Sequence, residues 1–496
     1  MLDGWLDELE TSLGPAAVVR PGEGDLTRYE TPARGTGGPA AAVVRPADTD
    51  EVRTVVRWAV LHGVRLLPQG ANSGLVGASV PPAVPTGARP TGERATGESA
   101  DHRPLVVLST ERLVEPIEVF PDDRVAIVGA GVRLSALNDA LAPHDLELPI
   151  DLGADPCLGG MVATNTGGAR MLQDGDVRRR VLGLEAVLAD VDPSLSQATG
   201  DGTRADPTVL DDLTRLLKDN TGPRATSFLI GSAGAFGIVT KVAIQLSRRP
   251  RERACALMAP VEPADALRAL RVVEASLGTS LSAYEVMSAT SIGMAVETVD
   301  GVRSPWPEDG IDPEVTVLVE AAGASHVEEM LTDTVAAVLA DGSVGDAVLV
   351  PFDDAWRLRH SISEGLARTG SVVGFDVSVP RSELVAFRDD VIARVGLALP
   401  RAIVADFGHW ADGGTHCNLV FPDSPPSAEE RATAREVVFG TAIRDHDGSY
   451  SAEHGIGPHN ADWWEAVTPA ADKALLASLR DLCDPHRILG HPALPF

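Results

Sequence analysis

Two histidines stand seven residues apart in Gly408-His-Trp-Ala-Asp-Gly-Gly-Thr-His-Cys-Asn418. Residues 404–409 and 415–421 read as strands, and Asp412-Gly413-Gly414 reads as the turn between them, so a hairpin brings His409 and His416 close together. Neutral imidazoles are the usual ligands of a borderline divalent cation. Further on, Ser451-Ala-Glu-His-Gly-Ile-Gly457 adds Glu453 and His454. Two imidazoles and one carboxylate leave coordination positions open, as metal-assisted catalysis requires. Another imidazole, which titrates near neutrality, can take the proton of a hydroxyl while the adjoining carbon is oxidised. On spacing alone, two hairpin histidines are more often ordinary polar residues, and that alternative stays open at this point.

A second chemistry is written in glycine. Pro68-Gln-Gly-Ala-Asn-Ser-Gly-Leu-Val-Gly77, Gly159-Gly-Met-Val-Ala-Thr-Asn-Thr-Gly-Gly168 and Gly231-Ser-Ala-Gly-Ala-Phe-Gly237 are small-residue tracts. Such loops let the backbone approach a ligand closely and aim N–H groups at an anion. The first follows a strand but has neither the GxGxxG nor the GxxxxGK[ST] spacing, so a Rossmann or Walker site is a poor reading. One tract alone is as well read as a tight turn. Three within one stretch suit a long, phosphate-bearing cofactor.

The elements that must position these groups can be read in order. Residues 41–44 form a strand. Asp48 or Asp50 caps a helix whose apolar face is Val52, Val55, Val56, Ala59 and Val60, with Gly63 ending it. A strand at 64–67 leads into the first tract. Residues 81–104 have no apolar period and read as a mobile surface insertion. Strands within 105–131, a helix at 134–141 and a strand at 242–246 complete an N-terminal domain over 1–249. The basic run Arg248–Arg251, with Pro250, marks a boundary. Strand, helix and strand, then strand and helix, follow at 256–261, 264–277, 284–287, 315–321 and 326–339, the order of a split βαβ cap on an antiparallel sheet. A cap over 250–440 and a C-terminal segment over 441–496 complete an α+β chain.

The totals exclude several functions. Asp and Glu outnumber Lys and Arg by 71 to 42 over 496 residues, a formal charge of -29. That field repels phosphate backbones and anionic lipid surfaces, so nucleic-acid and membrane-surface partners are not expected. It also repels an anionic substrate, so a carboxylate site needs local cations or a metal. No apolar run spans a bilayer and no secretory segment opens the chain, which therefore is not expected to be transmembrane. Four isolated cysteines without a CxxC pair read as thiols of a reducing, cytoplasmic compartment.

Taken in order, Pro68–Ala78, Leu158–Gly168, Lys218–Gly222, Ile230–Thr240, Gly408–Asn418 and Ser451–Gly457 resemble the FAD and metal motifs of the vanillyl-alcohol oxidase and p-cresol methylhydroxylase superfamily. Within it they are similar to the FAD-linked D-lactate and D-2-hydroxyglutarate dehydrogenases, whose motifs run PRGGNTGLVGG, IGGNIATNAGG, KDNTGYDL, IGSEGTLGIVT, GHxGDGNxHxN and SAEHGIG. The likeness covers about residue 40 to the C-terminus. It implies a PCMH-type FAD-binding domain of two subdomains, a ferredoxin-like α+β cap that binds substrate, and a short C-terminal segment completing the site.

The same resemblance assigns the residues. Gly70, Asn72, Ser73 and Gly74 would cradle the FAD pyrophosphate, and Pro68, Ala71 and Gly77 would also bind the cofactor. Gly159, Gly160, Ala163, Thr164, Asn165, Gly167 and Gly168, with Gly237, Ile238 and Val239, would meet the rest of the cofactor. Relatives that tether FAD use a histidine where Asn72 stands, so a non-covalent flavin is implied. His409, His416 and Glu453 would hold a divalent metal (zinc first, with manganese or iron as alternatives), and His454 would be the base. On the helix containing Trp356-Arg-Leu-Arg-His-Ser-Ile-Ser363, Arg359 and Ser363 match substrate positions, as does Asn418; a solvated helix arginine is the plain alternative for Arg359.

The implied reaction takes a D-2-hydroxy acid such as D-lactate or D-2-hydroxyglutarate to the 2-oxo acid. The electron acceptor is left open among a flavoprotein, a quinone, a cytochrome and dioxygen, and a homodimer is compatible with the sequence. Departures from the pattern bear on substrate: Gly374 stands where relatives acting on dicarboxylates carry a lysine, Ala233 replaces a glutamate, and Gly490-His-Pro-Ala493 replaces NPGK. Two rival readings remain: an FAD oxidase of another alcohol or a carbohydrate, and a non-catalytic flavin-binding subunit of an electron-transfer complex.

Overall fold

In the computed structural model, residues 2–83, 103–192, 206–307, 310 and 312–496 are described. Most of the insertion expected at 81–104 lies outside them. The helix Thr49–His62 shows how local chemistry sets an element. Asp48 accepts the backbone N–H of Glu51 at its start, and Gly63, at φ 64°, closes its end. A cap of this kind contributes about 1 kcal/mol, and left-handed closure favours glycine. Its buried face includes Val52, Val55, Val56, Ala59 and Val60.

That helix packs beside a four-stranded sheet in the order Val18–Val19, Ala42–Val44, Leu105–Ser109, Arg65–Gln69. The last two pairings are parallel, with Pro68 opposite Leu108 and Gln69 opposite Ser109. The first glycine tract therefore leaves the carboxyl edge of a parallel pair, where α/β sheets open their ligand crevices. A second, antiparallel sheet runs Ile117–Phe120, Val125–Gly129, Ile238–Gln245, Val181–Val187, Val209–Asp211. Its central strand begins at Ile238, directly after the third tract. One continuous core joins both sheets, with Val44, Leu66 and Val106 from the first and Val128, Leu184 and Val242 from the second.

The remaining sheet has seven antiparallel strands in the order Val344–Val350, Glu252–Pro260, Val315–Gly323, Leu281–Ser288, Ile403–Gly408, Gly414–Phe421, Ser371–Ser378. Alternation along Glu252–Pro260 sends Ala256 and Met258 to one core and Cys255 and Leu257 to the other. The first core includes Ala266 and Leu270 of the helix Pro263–Leu277. The second includes Ile292 of Ala289–Thr298 and Ile362 of Phe352–Thr369. Each fully buried aliphatic side chain contributes roughly 1.5–3 kcal/mol, so both faces are firmly anchored. The C-terminus returns to the first sheet, where Gly490 donates its N–H to the Leu66 carbonyl at 3.0 Å. Among the described residues, no helix is long and apolar enough to cross a membrane.

Candidate active site

The glycine tracts meet one another and the C-terminal loop through close contacts that a side chain would crowd. A Cβ on Gly70 would lie 2.5 Å from Cys157 Sγ, which joins the first tract to the second. One on Gly234 would lie 3.1 Å from Pro68 Cγ, and one on Gly457 only 2.3 Å from the Val76 carbonyl oxygen. Between the tracts opens a cavity of about 840 Å³, within the range of cofactor sites. Gly74 lines it, and a Cβ there would meet nothing within 4 Å. A volume of this size walled by closely approaching backbone fits FAD.

Most residues expected to touch the flavin lie on this wall: Pro68, Gly70, Ala71, Asn72, Ser73, Gly74, Gly159, Gly160, Ala163, Thr164, Gly168, Gly237, Ile238 and Val239. Three do not. Gly77, at φ 72°, packs toward His459 and Pro458. Asn165, at φ 51°, ends the helix Leu158–Thr164 and donates to Asp176 Oδ2 at 2.9 Å. Gly167 makes room for Glu453, whose Oε2 would be 3.2 Å from a Cβ there. Asn72 is on the wall, but its amide donates to the carbonyls of Arg28 at 3.1 Å and Thr31 at 2.8 Å. Its side chain thus fastens an N-terminal segment rather than facing the cavity.

The same cavity is bounded by His409, His416, Glu453 and His454. Glu453 Oε1 lies within 3.9 Å of a ring nitrogen of each histidine: 3.9 Å from His409 Nε2, 3.6 Å from His416 Nε2 and 3.9 Å from His454 Nε2. His416 and His454 stack with ring centroids 5.6 Å apart. The hairpin formed by Ile403–Gly408 and Gly414–Phe421 carries two of these rings, and the loop after Ser449, bridged to Ser378, carries the third.

Asp376 completes the cluster and was not anticipated as a ligand. Its Oδ1 is 3.6 Å from His416 Nδ1, and its Oδ2 is 3.6 Å from His454 Nδ1. Asp376, His416, Glu453 and His454 offer ligand atoms that all lie within 4.8 Å of one another. Asp376 Oδ1 is buried and has no hydrogen-bond partner, a costly condition that a cation would relieve. The donor set of imidazoles and carboxylates fits a divalent metal. His454, expected as a base apart from the ligands, is as near Glu453 as His409 is.

Behind the cluster, buried Glu285 links two of the expected residues. Its Oε1 is hydrogen-bonded to His409 Nδ1, and its Oε2 accepts from Arg359 Nε at 2.6 Å. Burial alone would raise the Glu285 carboxyl, but His409 and Arg359 outweigh it and hold it at about 2. Burial would likewise lower His409, but the Glu285 charge and hydrogen bond raise it to about 9 in the metal-free protein. The arrangement leaves His409 Nε2 as the nitrogen toward the cluster, and a carboxylate behind a ligating imidazole is the usual orienting partner. Burial, then the charges of His409 and His454, hold His416 well below its ordinary value, in the neutral form a metal needs. Burial raises Glu453, a shift the histidines oppose. Arg359, Ser363 and Asn418 all line the cavity, with the Arg359 guanidinium 4.5 Å over the Phe407 ring.

Known proteins resemble this chain in sequence and fold. The family described as "FAD binding domain" matches residues 40–191, and that described as "FAD linked oxidases, C-terminal domain" matches residues 249–491. The chain is 32% identical over 462 residues to the mitochondrial D-2-hydroxyglutarate dehydrogenase of Rattus norvegicus, covering 91% of this chain and 78% of the relative. It is 31% identical over 486 residues to the D-2-hydroxyglutarate dehydrogenase of Xanthomonas citri, covering 96% and 94%. A solved structure of p-cresol methylhydroxylase with substrate bound superposes with a TM-score of 0.69 at 14% identity, covering 98% of this chain and 95% of that one; at that identity the likeness concerns the fold alone. The chain is an FAD-linked oxidoreductase and belongs to the family of FAD-linked oxidases that includes the D-2-hydroxyglutarate dehydrogenases.

Proposed function

We propose that the protein oxidises a D-2-hydroxy acid to the corresponding 2-oxo acid, with FAD held non-covalently and a divalent metal at the histidine cluster. The observation that carries this reading is the focus of three imidazoles on Glu453 Oε1 at the wall of the cavity that the glycine tracts enclose. When bound, FAD supplies a hydride acceptor at N5 and the metal supplies positive charge for the substrate oxygen.

The chain's own residues do the rest. His409, His416 and Glu453 hold the cation, with zinc favoured by the nitrogen-rich donor set and manganese or iron as alternatives. His454 takes the hydroxyl proton at Nε2, while Asp376 Oδ2, 3.6 Å from Nδ1, orients the ring. The Arg359 guanidinium and the Ser363 hydroxyl bind and orient a substrate carboxylate, and Asn418 lies at the same wall. Non-covalent attachment is supported by Asn72, which offers no nucleophile for a flavin methyl and has its amide committed to two backbone carbonyls. The four free cysteines are buried, which supports a reducing compartment and a cytoplasmic protein.

The test is anaerobic mixing of the purified holoprotein with paired D- and L-2-hydroxy acids, following flavin absorbance. Bleaching by D-acids alone is expected. A flavin that stays oxidised with every D-acid overturns the reading.

A further inference from the structure

Arg34 lies on the same cavity wall, far in sequence from every other cation of the site. It sits in the irregular segment between the helix Thr27–Glu30 and the strand Ala42–Val44. Asn72 fastens the chain ahead of it through the Arg28 and Thr31 carbonyls. Behind it, Gly37 bridges Pro82, and Gly38 donates its N–H to the Pro81 carbonyl at 2.8 Å. The segment is therefore held on both sides of Arg34, which lowers the entropy lost when the side chain grips a ligand.

The guanidinium lies over Gly374. A Cβ at Gly374 would be 3.0 Å from Arg34 Nη1 and 2.9 Å from Asn418 Oδ1, so a side chain at 374 and Arg34 in this pose compete for one space. Arg34 is exposed, while nearby protein lowers it from its ordinary value and the Asp376 charge opposes that effect. Among the described residues it makes no hydrogen bond and no ion pair within 4.0 Å. Arg359, by contrast, is paired with Glu285. The cavity thus holds one guanidinium in a close ion pair and one, among the described residues, with only the more distant charge of Asp376. In a chain of formal charge -29, a cation whose hydrogen-bond donors are not taken up by a protein carboxylate makes an anion receptor.

We propose that Arg34 binds the distal carboxylate of a 2-hydroxy dicarboxylate and so sets substrate class. This rests on the D-2-hydroxy-acid reading and narrows it. The hydroxyl and its neighbouring carboxylate, common to all 2-hydroxy acids, belong at the Glu453 cluster, and the tail reaches the cation beside Gly374. The guanidinium enters from the FAD-binding part of the chain, in the space that Gly374 leaves open.

The test compares D-2-hydroxyglutarate with D-lactate on holoenzyme, for the wild type, Arg34→Ala and Arg34→Lys. The ratio of kcat/KM values, dicarboxylate over monocarboxylate, is expected to fall at least about 30-fold in Arg34→Ala, mostly through KM, and to recover in part in Arg34→Lys. Calorimetric binding of glutarate and butyrate, which cannot be oxidised at C2, reads the site without turnover; only glutarate binding should weaken in Arg34→Ala. An unchanged ratio, an equal loss on both substrates, or loss of FAD from the variant overturns the proposal. Should no hydroxy acid bleach wild-type flavin while glutarate still binds through Arg34, the reaction assignment fails and the anion site stands.

Discussion

Asp376 Oδ2 accepts the backbone N–H of Glu453 at 2.8 Å, and the same oxygen accepts that of His454 at 2.8 Å. One carboxylate on the strand Ser371–Ser378 thereby fixes the loop that brings two functional side chains to the cavity, while its other oxygen faces His416. Asp376→Ala removes both backbone hydrogen bonds and the buried charge. Bound metal and the rate of flavin reduction should each fall about 10–100-fold, the range seen when a partner behind metal ligands is lost. FAD content should not change, because Asp376 does not line the cavity. Metal analysis and stopped-flow absorbance measure both; a variant with full metal and full rate contradicts the role.

Glu285 is the only carboxylate hydrogen-bonded to both His409 and Arg359 among the described residues. Glu285→Gln keeps the volume but leaves the buried Arg359 guanidinium without its carboxylate partner and removes the charge that raises His409 most. Breaking a buried pair in this way costs roughly 3–5 kcal/mol. Denaturant unfolding of the metal-free protein should therefore show a loss of that size, and metal affinity should also drop. A change under about 1 kcal/mol, an ordinary effect for a point substitution, would mean that His409 and Arg359 are held by other contacts.

Gly70 and Gly74 separate packing from cofactor binding within one tract. Gly70→Ala places a methyl 2.5 Å from Cys157 Sγ, so the apoprotein itself should lose about 1–3 kcal/mol by overpacking. Gly74→Ala meets nothing within 4 Å. It should leave apoprotein stability nearly unchanged but weaken FAD by about tenfold, or ~1.4 kcal/mol. Thermal melts with and without added FAD distinguish the two. Equal behaviour of both variants would contradict a flavin seated against Gly74.

Much of this architecture is legible in residues and spacing. The helix behind Asp48 and the hairpin around Asp412-Gly413-Gly414 declare themselves through caps, apolar period and turn chemistry. So do the strands at 256–261, 284–287 and 315–321; the structure extends the last two, and the first begins at Glu252 and ends at Pro260. Two strands of the seven-stranded sheet do not. Val344–Val350 is an edge strand whose side chains are mostly exposed, and Ser371–Ser378 holds Gly374 and Asp376 in an otherwise apolar run. A single acid in a strand carries no ligand signature of its own, and only strand pairing, which sets Asp376 opposite His416, brings it to the cluster. Glu285 and Arg34 were hidden likewise, since each meets the site through tertiary contact alone. Asn165 and Gly77 sit in motifs that read as ligand loops, yet their positive φ angles make them turn and cap residues. A motif marks where the chain must bend as well as where it binds.

The account stands on a metal at the His409, His416 and Glu453 cluster acting on the same substrate that reduces the flavin. The most direct measurement follows the rate of anaerobic flavin reduction by a D-2-hydroxy acid before chelation, after chelation, and after zinc or manganese is restored. FAD content is recorded at each stage. The account predicts that chelation abolishes reduction while FAD stays bound, that restored metal returns it, and that His409→Ala cannot be rescued by metal at matched concentration. Full-rate flavin reduction in protein shown to be metal-free would contradict it.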